Sequence, residues 1–158
     1  MSSERRPGYA VTAPDVREIM LQFTGRVRAL GLPEKLLRLV FLRASQINGC
    51  AFCVDMHSKD MRAAGESEQR VYMASVWRES ALYDAKERAA LAWTEVVTRL
   101  PNGEVPQQTY DEARAEFSDS ELVKLTLAII EINGWNRLNI AFRTPPGHYQ
   151  PNARASAG

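Results

Sequence analysis

The sequence predicts an all-α domain of about six or seven helices. Apolar residues recur every three to four positions along most of the chain, and no stretch alternates convincingly like a strand. Capping residues and glycines punctuate that pattern at helix-length intervals. A chain of 158 residues, 45% of them apolar, is long enough to bury one core. Its net charge of +1 gives no electrostatic case for a nucleic acid or an anionic membrane as partner. No segment approaches the ~18 consecutive apolar residues of a membrane span. No apolar run follows Met1 to Pro7, so a signal peptide is not expected, and a cytoplasmic location is.

Residues 1–12 read as a flexible arm broken by Pro7-Gly8, residues 13–145 as the domain, and residues 146–158 as a flexible tail. Within the domain, Pro14 and Asp15 open a first helix whose stripe is Ile19, Phe23, Val27 and Leu30, with Gly31 as its stop. Pro33 opens a second, with Leu36, Leu37, Val40, Phe41, Ala44 and Ile47 inward. Asn48-Gly49 interrupts it. A third, central helix starts at Cys50 or Ala51 and runs to Ala64, where Gly65 caps it. Ser67 starts a fourth, with Val71, Ala74 and either Trp77 or Val76 inward. Asp84 caps a fifth with Leu91, Val96 and Leu100 on its apolar face. Residues 106–117 form a short helix. Ser118 caps the last long one, which carries a possible defect at Gly134 on its way to Ala141.

Only two cysteines are present, and they stand as Cys50-Ala-Phe-Cys53-Val-Asp-Met-His57. On a helix Cys53 and His57 lie one turn apart, with Cys50 on the same face. Two thiols at this spacing can close a disulfide. The break at Asn48-Gly49 places both in a first turn, where free N–H groups favour a thiolate. His57 can act as base or, when protonated, as counter-ion. Zinc is the other reading, because Cys50, Cys53 and His57 offer three ligands; nothing completes the set, and His148 lies in the tail. No metal or organic cofactor is expected, since sulfur carries both electrons. Buried inert thiols remain the bland alternative.

The run from Leu39 to His57, with Arg43, Gln46, Asn48, Gly49 and Asp55 among its residues, resembles the AhpD-like alkylhydroperoxidases of the carboxymuconolactone decarboxylase superfamily. Tyr72, the run from Trp77 to Ser80, the run from Glu87 to Glu95, and Asn133 to Arg137 are similar to the same family, and the resemblance covers roughly residues 36–143. It implies a helical fold assembling into homo-oligomers, commonly trimers or hexamers. It also implies an oxidoreductase that reduces organic hydroperoxides in antioxidant defence. In that scheme Cys53 attacks the peroxide with help from His57. Cys50, the more accessible thiol, resolves the intermediate and takes electrons from a thiol or lipoyl-type donor. One position departs from the family pattern. A glutamate is expected twelve residues before the first cysteine, and Arg38 stands there. An arginine cannot relay a proton. Glu95, Glu131 and Glu79 are candidate substitutes, with Arg38 and Gln46 as possible supporting residues; a weaker turnover is the expected cost. Arg43, out of place in an apolar pattern, suggests an ion pair across a subunit interface. Trp77, Trp93 and Trp135 read as core or interface residues. The rival functions are a muconolactone-type decarboxylase, which gives a CxxC pair no role, and a non-enzymatic metal-binding or redox-sensing module.

Overall fold

The computed structural model describes residues 6–151, and within them every regular element is helical. The α-helices are α1 (Tyr9–Thr12), α2 (Pro14–Arg28), α3 (Glu34–Asn48), α4 (Ala51–Ala63), α5 (Glu68–Met73), α6 (Ala85–Arg99), α7 (Gln107–Glu116) and α8 (Asp119–Ala141). Two short 3-10 segments, Ala74–Glu79 and Pro101–Gly103, follow α5 and α6.

Local chemistry sets the boundaries. Asp84 and Ser118 each accept from the N–H three residues on, while Glu87 and Glu121 bond back to the cap N–H, so two capping boxes start α6 and α8. Ser67 caps α5 in the same way from one side. The fourth helix of the sequence reading is shorter than its periodicity suggests. After Met73 the chain tightens into a 3-10 segment, and Val76 leaves helical geometry there, which turns Trp77 inward.

Centrally placed α3 packs against α4, α6 and α8. One side of it (Leu36, Leu37, Val40, Phe41, Ala44) joins Val27, Ala90, Trp93, Leu125, Ile129 and Ile132 in the larger core. Leu39 and Leu42 on its other side meet Met61, Val71, Trp77 and Leu91 in a second. A helix apolar on two sides is buried on both. Arg43 sits within this burial, and it is answered inside the chain rather than by another subunit: its guanidinium lies 2.8 Å from Glu95 on α6. Trp77 Nε1 and Arg78 Nη1 also donate to that carboxylate, at 2.8 and 2.5 Å. The three tryptophans all spend their indole N–H within the fold, Trp93 on Thr126 and Trp135 on Thr24 and Glu131.

Parts of both terminal segments are docked. Tyr9 begins a helical turn, its ring 5.9 Å from that of Phe142, and Arg6 Nη1 donates to the Ala141 carbonyl at 2.6 Å. Beyond α8, Gly147 N–H donates to Asp55, Lys59 Nζ donates to the carbonyls of Gly147 and Tyr149, and Tyr149 Oη donates to Asp60 at 2.6 Å. The rest of both expected segments, residues 1–5 and 152–158, lies outside the described residues. No helix of the described residues is long and apolar enough to cross a membrane.

Gly134 does not break α8, which is continuous for 23 residues. A Cβ there would come within 3.2 Å of the Met20 terminal methyl on α2, so the glycine marks a close approach of two helices. The obstructing atom ends a flexible, partly exposed side chain. Gly134→Ala is therefore expected to stabilise the fold, by up to about 1 kcal/mol from helix propensity. Thermal unfolding checks this, and a lowered Tm would show that Met20 cannot yield.

Candidate redox site

Gly49 ends α3 in the left-handed region (φ 70°, ψ 30°), a conformation costly for residues with a Cβ. The turn lets Cys50 N–H return to the Ser45 carbonyl at 3.0 Å, closing α3 in Schellman fashion. Cys50 is also the N-cap of α4, where its Sγ accepts from Cys53 N–H at 3.3 Å. One residue thus closes one helix and opens the next. Cys50 and Cys53 are joined as a disulfide, with Cα atoms 5.3 Å apart.

Both cysteines are 1% exposed. The expected difference in access between them is absent in this disulfide form, because α3, α4 and α8 close over the pair. The contact on Cys53 comes from a residue that the motif did not reveal. Asn139 on α8 donates Nδ2 to Cys53 Sγ at 3.6 Å and to the Trp135 carbonyl at 3.0 Å, and its Oδ1 accepts weakly from Tyr9 Oη at 3.4 Å. Asn136, three residues earlier, accepts from Asn48 at 2.8 Å and donates to Ser45 at 3.0 Å. Asn133 also accepts from Asn48, at 2.9 Å. Asn48 and Ser45 flank the Gly49 turn, so α8 braces the junction that carries the disulfide. Three asparagines spaced by three within an apolar helix were the available signal, since buried amides must be paired.

His57 lies one turn beyond Cys53, buried, with its ring 5.5 Å from that of Phe41. Burial pushes its imidazole down to about 3, and the charge of Arg28 acts the same way. The ring is therefore neutral at physiological pH beside the disulfide. Of the two roles expected for it, base and counter-ion, these surroundings favour the base. Its Nε2 is buried with no hydrogen-bond partner among the described residues.

The supporting candidates separate clearly. Arg38 is half-buried, with its guanidinium 3.9 Å from Glu34 on its own helix, and it makes no hydrogen bond to either cysteine or His57. Gln46 accepts from Arg43 at 3.4 Å and does not bond to sulfur. Burial alone would raise the Glu95 carboxyl, but bonds from Trp77, Arg78 and Arg43 hold it below the usual range, so it is a fixed anion. Glu79, at the end of the 3-10 segment, is exposed. Glu131 is different. It is 2% exposed, one oxygen accepts from Thr24 and Trp135, and the other is buried without a partner. Burial raises its carboxyl against those bonds and the opposing charge of Arg28. Among the described residues no cluster of three or more His, Cys, Asp and Glu side chains is placed to hold a metal ion.

A sequence profile described as "Carboxymuconolactone decarboxylase family" matches residues 14–96. The uncharacterized protein YdfG of Bacillus subtilis (strain 168) is 38% identical over 137 residues, 87% of this chain and 93% of that one. Among solved structures, a protein of unknown function from Agrobacterium tumefaciens, provisionally named an antioxidant defence protein AhpD, is 42% identical. It superimposes with a TM-score of 0.88 over 92% of this chain and 100% of that one. The debrominase Bmp8 shares the fold at 21% identity, with a TM-score of 0.77 over 87% of this chain and 74% of its own.

The neutral imidazole has a stability consequence. A histidine whose folded pKa lies near 3 rather than its ordinary 6.5 supports the fold above pH 6.5, and that support is lost as pH falls toward 3. Between pH 7 and 5 the disulfide form is expected to lose roughly 2 kcal/mol through this group. Urea unfolding at the two pH values measures it, and an equally steep loss in His57→Leu would assign the effect elsewhere.

Proposed function

The chain belongs to the carboxymuconolactone decarboxylase family, and from that premise we propose that it is a thiol-dependent hydroperoxidase. The observation that carries the reading is the Cys50–Cys53 disulfide at the start of α4, with the Asn139 amide beside Cys53. Cys53 is the peroxide-attacking sulfur. In the dithiol state His57 accepts its proton, and the thiolate takes the distal oxygen of the hydroperoxide as the O–O bond breaks. The Cys53 sulfenic acid forms, and the departing alkoxide takes the proton to leave as an alcohol. Cys50 then attacks the sulfenic sulfur, so the S–S bond forms and water leaves. A dithiol donor, free or lipoyl-type, returns two electrons and two protons and is itself oxidised to a disulfide.

Two features support this division of labour. The Asn139 N–H already points at Cys53 Sγ and would strengthen as the sulfur gains charge. The low pKa of His57 belongs to a state with no anion facing the ring, and a thiolate one turn away favours the imidazolium. Of the acids weighed for the role missing at position 38, Glu131 is the better candidate, because burial raises its carboxyl while hydrogen-bond donors hold Glu95 below the usual range. The decarboxylase alternative leaves the disulfide without a role.

Thiol counting tests the cycle. The reduced protein is expected to lose both thiols to one equivalent of hydroperoxide, Cys50→Ser to stop at a sulfenic acid, and Cys53→Ser to keep its single thiol. Unchanged thiols in the unsubstituted protein sink the proposal, and turnover that survives both serines favours the lyase. In the same assay Glu131→Gln, which cannot carry a proton, is expected to slow thiol oxidation about tenfold or more, in line with general acid–base contributions. Homo-oligomer assembly is part of the same reading. Val123, Leu127 and Ile130 expose one apolar face of α8, suited to a second copy. Sedimentation velocity at micromolar concentration is expected to show a species larger than the 17.7 kDa chain.

A further inference from the structure

A cavity of about 690 Å³ is lined in part by Asn139, whose amide donates to Cys53 Sγ. Phe52, the residue immediately before Cys53, also lines it, so the cavity adjoins Cys53 through its chain neighbour and its hydrogen-bond partner. Tyr9 and Phe142, with ring centroids 5.9 Å apart, form one aromatic wall. Arg6, Arg17 and Arg143 supply its charge, and no acidic side chain among the described residues lines it. Arg6 donates a hydrogen bond to the neutral Ala141 carbonyl. Neither Arg6 nor Arg17 forms an ion pair with a carboxylate among the described residues.

A hydroperoxide group is neutral at physiological pH, so the attack on it needs no cationic lining. Guanidinium groups match a carboxylate in geometry as well as sign. Aromatic walls accept an apolar body, and a cavity of this size exceeds what a very small hydroperoxide fills. We infer that the cavity selects organic hydroperoxides that carry a carboxylate on an apolar body. This substrate assignment rests on the hydroperoxidase reading. A dithiol donor bearing a carboxylate shares the same chemistry. The cavity goes to the hydroperoxide because its wall residue Asn139 bonds to Cys53 rather than Cys50.

The test is a single-turnover oxidation of the fully reduced protein by linoleic acid hydroperoxide and by its methyl ester. The acid is expected to react at least about tenfold faster, as loss of one charge-assisted contact would cost. Arg17→Gln is expected to reduce the acid-to-ester ratio about tenfold, Arg17→Lys to retain most of it, and added salt to lower it. Equal rates for acid and ester, or a ratio that Arg17→Gln leaves unmoved, overturn the inference while the peroxidase stands. An acid preference confined to reduction of the disulfide by dihydrolipoate against dihydrolipoamide gives the cavity to the donor and also overturns it. Failure of acid and ester alike to oxidise the thiols removes the underlying reading and this inference together.

Discussion

The left-handed turn at Gly49 is the constraint on which the site depends. A helix must end within hydrogen-bond reach of where the next begins, and only two residues separate α3 from α4. Gly49 meets that demand because its missing Cβ removes the penalty of φ 70°. Cys50 can then satisfy the last turn of α3 through its backbone and the first turn of α4 through its sulfur. The same arrangement fixes the sulfur at the positive end of a helix, where an anion is favoured. Packing reinforces the junction, since Ser45 and Asn48 on either side of it are held by asparagines of α8.

Burial shapes the chemistry around that junction in two opposite ways. Glu95 is surrounded by donors and becomes a permanent charge that ties α3, α6 and the 3-10 segment after α5 together. Glu131 and His57 are buried with too few partners, and each is pushed toward its neutral form. Only the second kind of group can change protonation cheaply when a sulfur changes charge. Buried ionisable side chains in this fold therefore divide into fixed braces and adjustable ones by the number of donors that reach them.

Much of the fold and the heart of the site were legible in the sequence because they rest on local chemistry. Asp84 and Ser118 read as caps, and both are; Gly65 and Gly49 read as stops, and both adopt positive φ. The spacing of Cys50, Cys53 and His57 along α4 follows from helix geometry alone. What escaped depended on long-range packing. The partner of Arg43 lies 52 residues away, and Asn139 is separated from Cys53 by 86. Local periodicity carries no information about such pairs. Gly134 misled for the same reason, because its purpose is a methionine on another helix. The 3-10 segment after α5 has ordinary helix formers, and the inward turn of Trp77 onto Glu95 overrides them.

The wall of the cavity beside the disulfide has a kinetic meaning of its own. Arg6 and Ala141, which meet there, are 135 residues apart, whereas Cys50 and Cys53 are joined across three. Closing so long a loop is entropically the costlier step, and each long-range contact must wait for the chain between to order. The sulfur pair therefore belongs to an early, local folding event and its surroundings to a late one. Segments held by few contacts also open first in the native state. A molecule in which residues 6–12 have come away retains α2 to α8 and its disulfide, yet has lost part of the wall around the cavity. Selectivity in this fold is thus the most perishable property, shed well before the capacity for thiol chemistry itself.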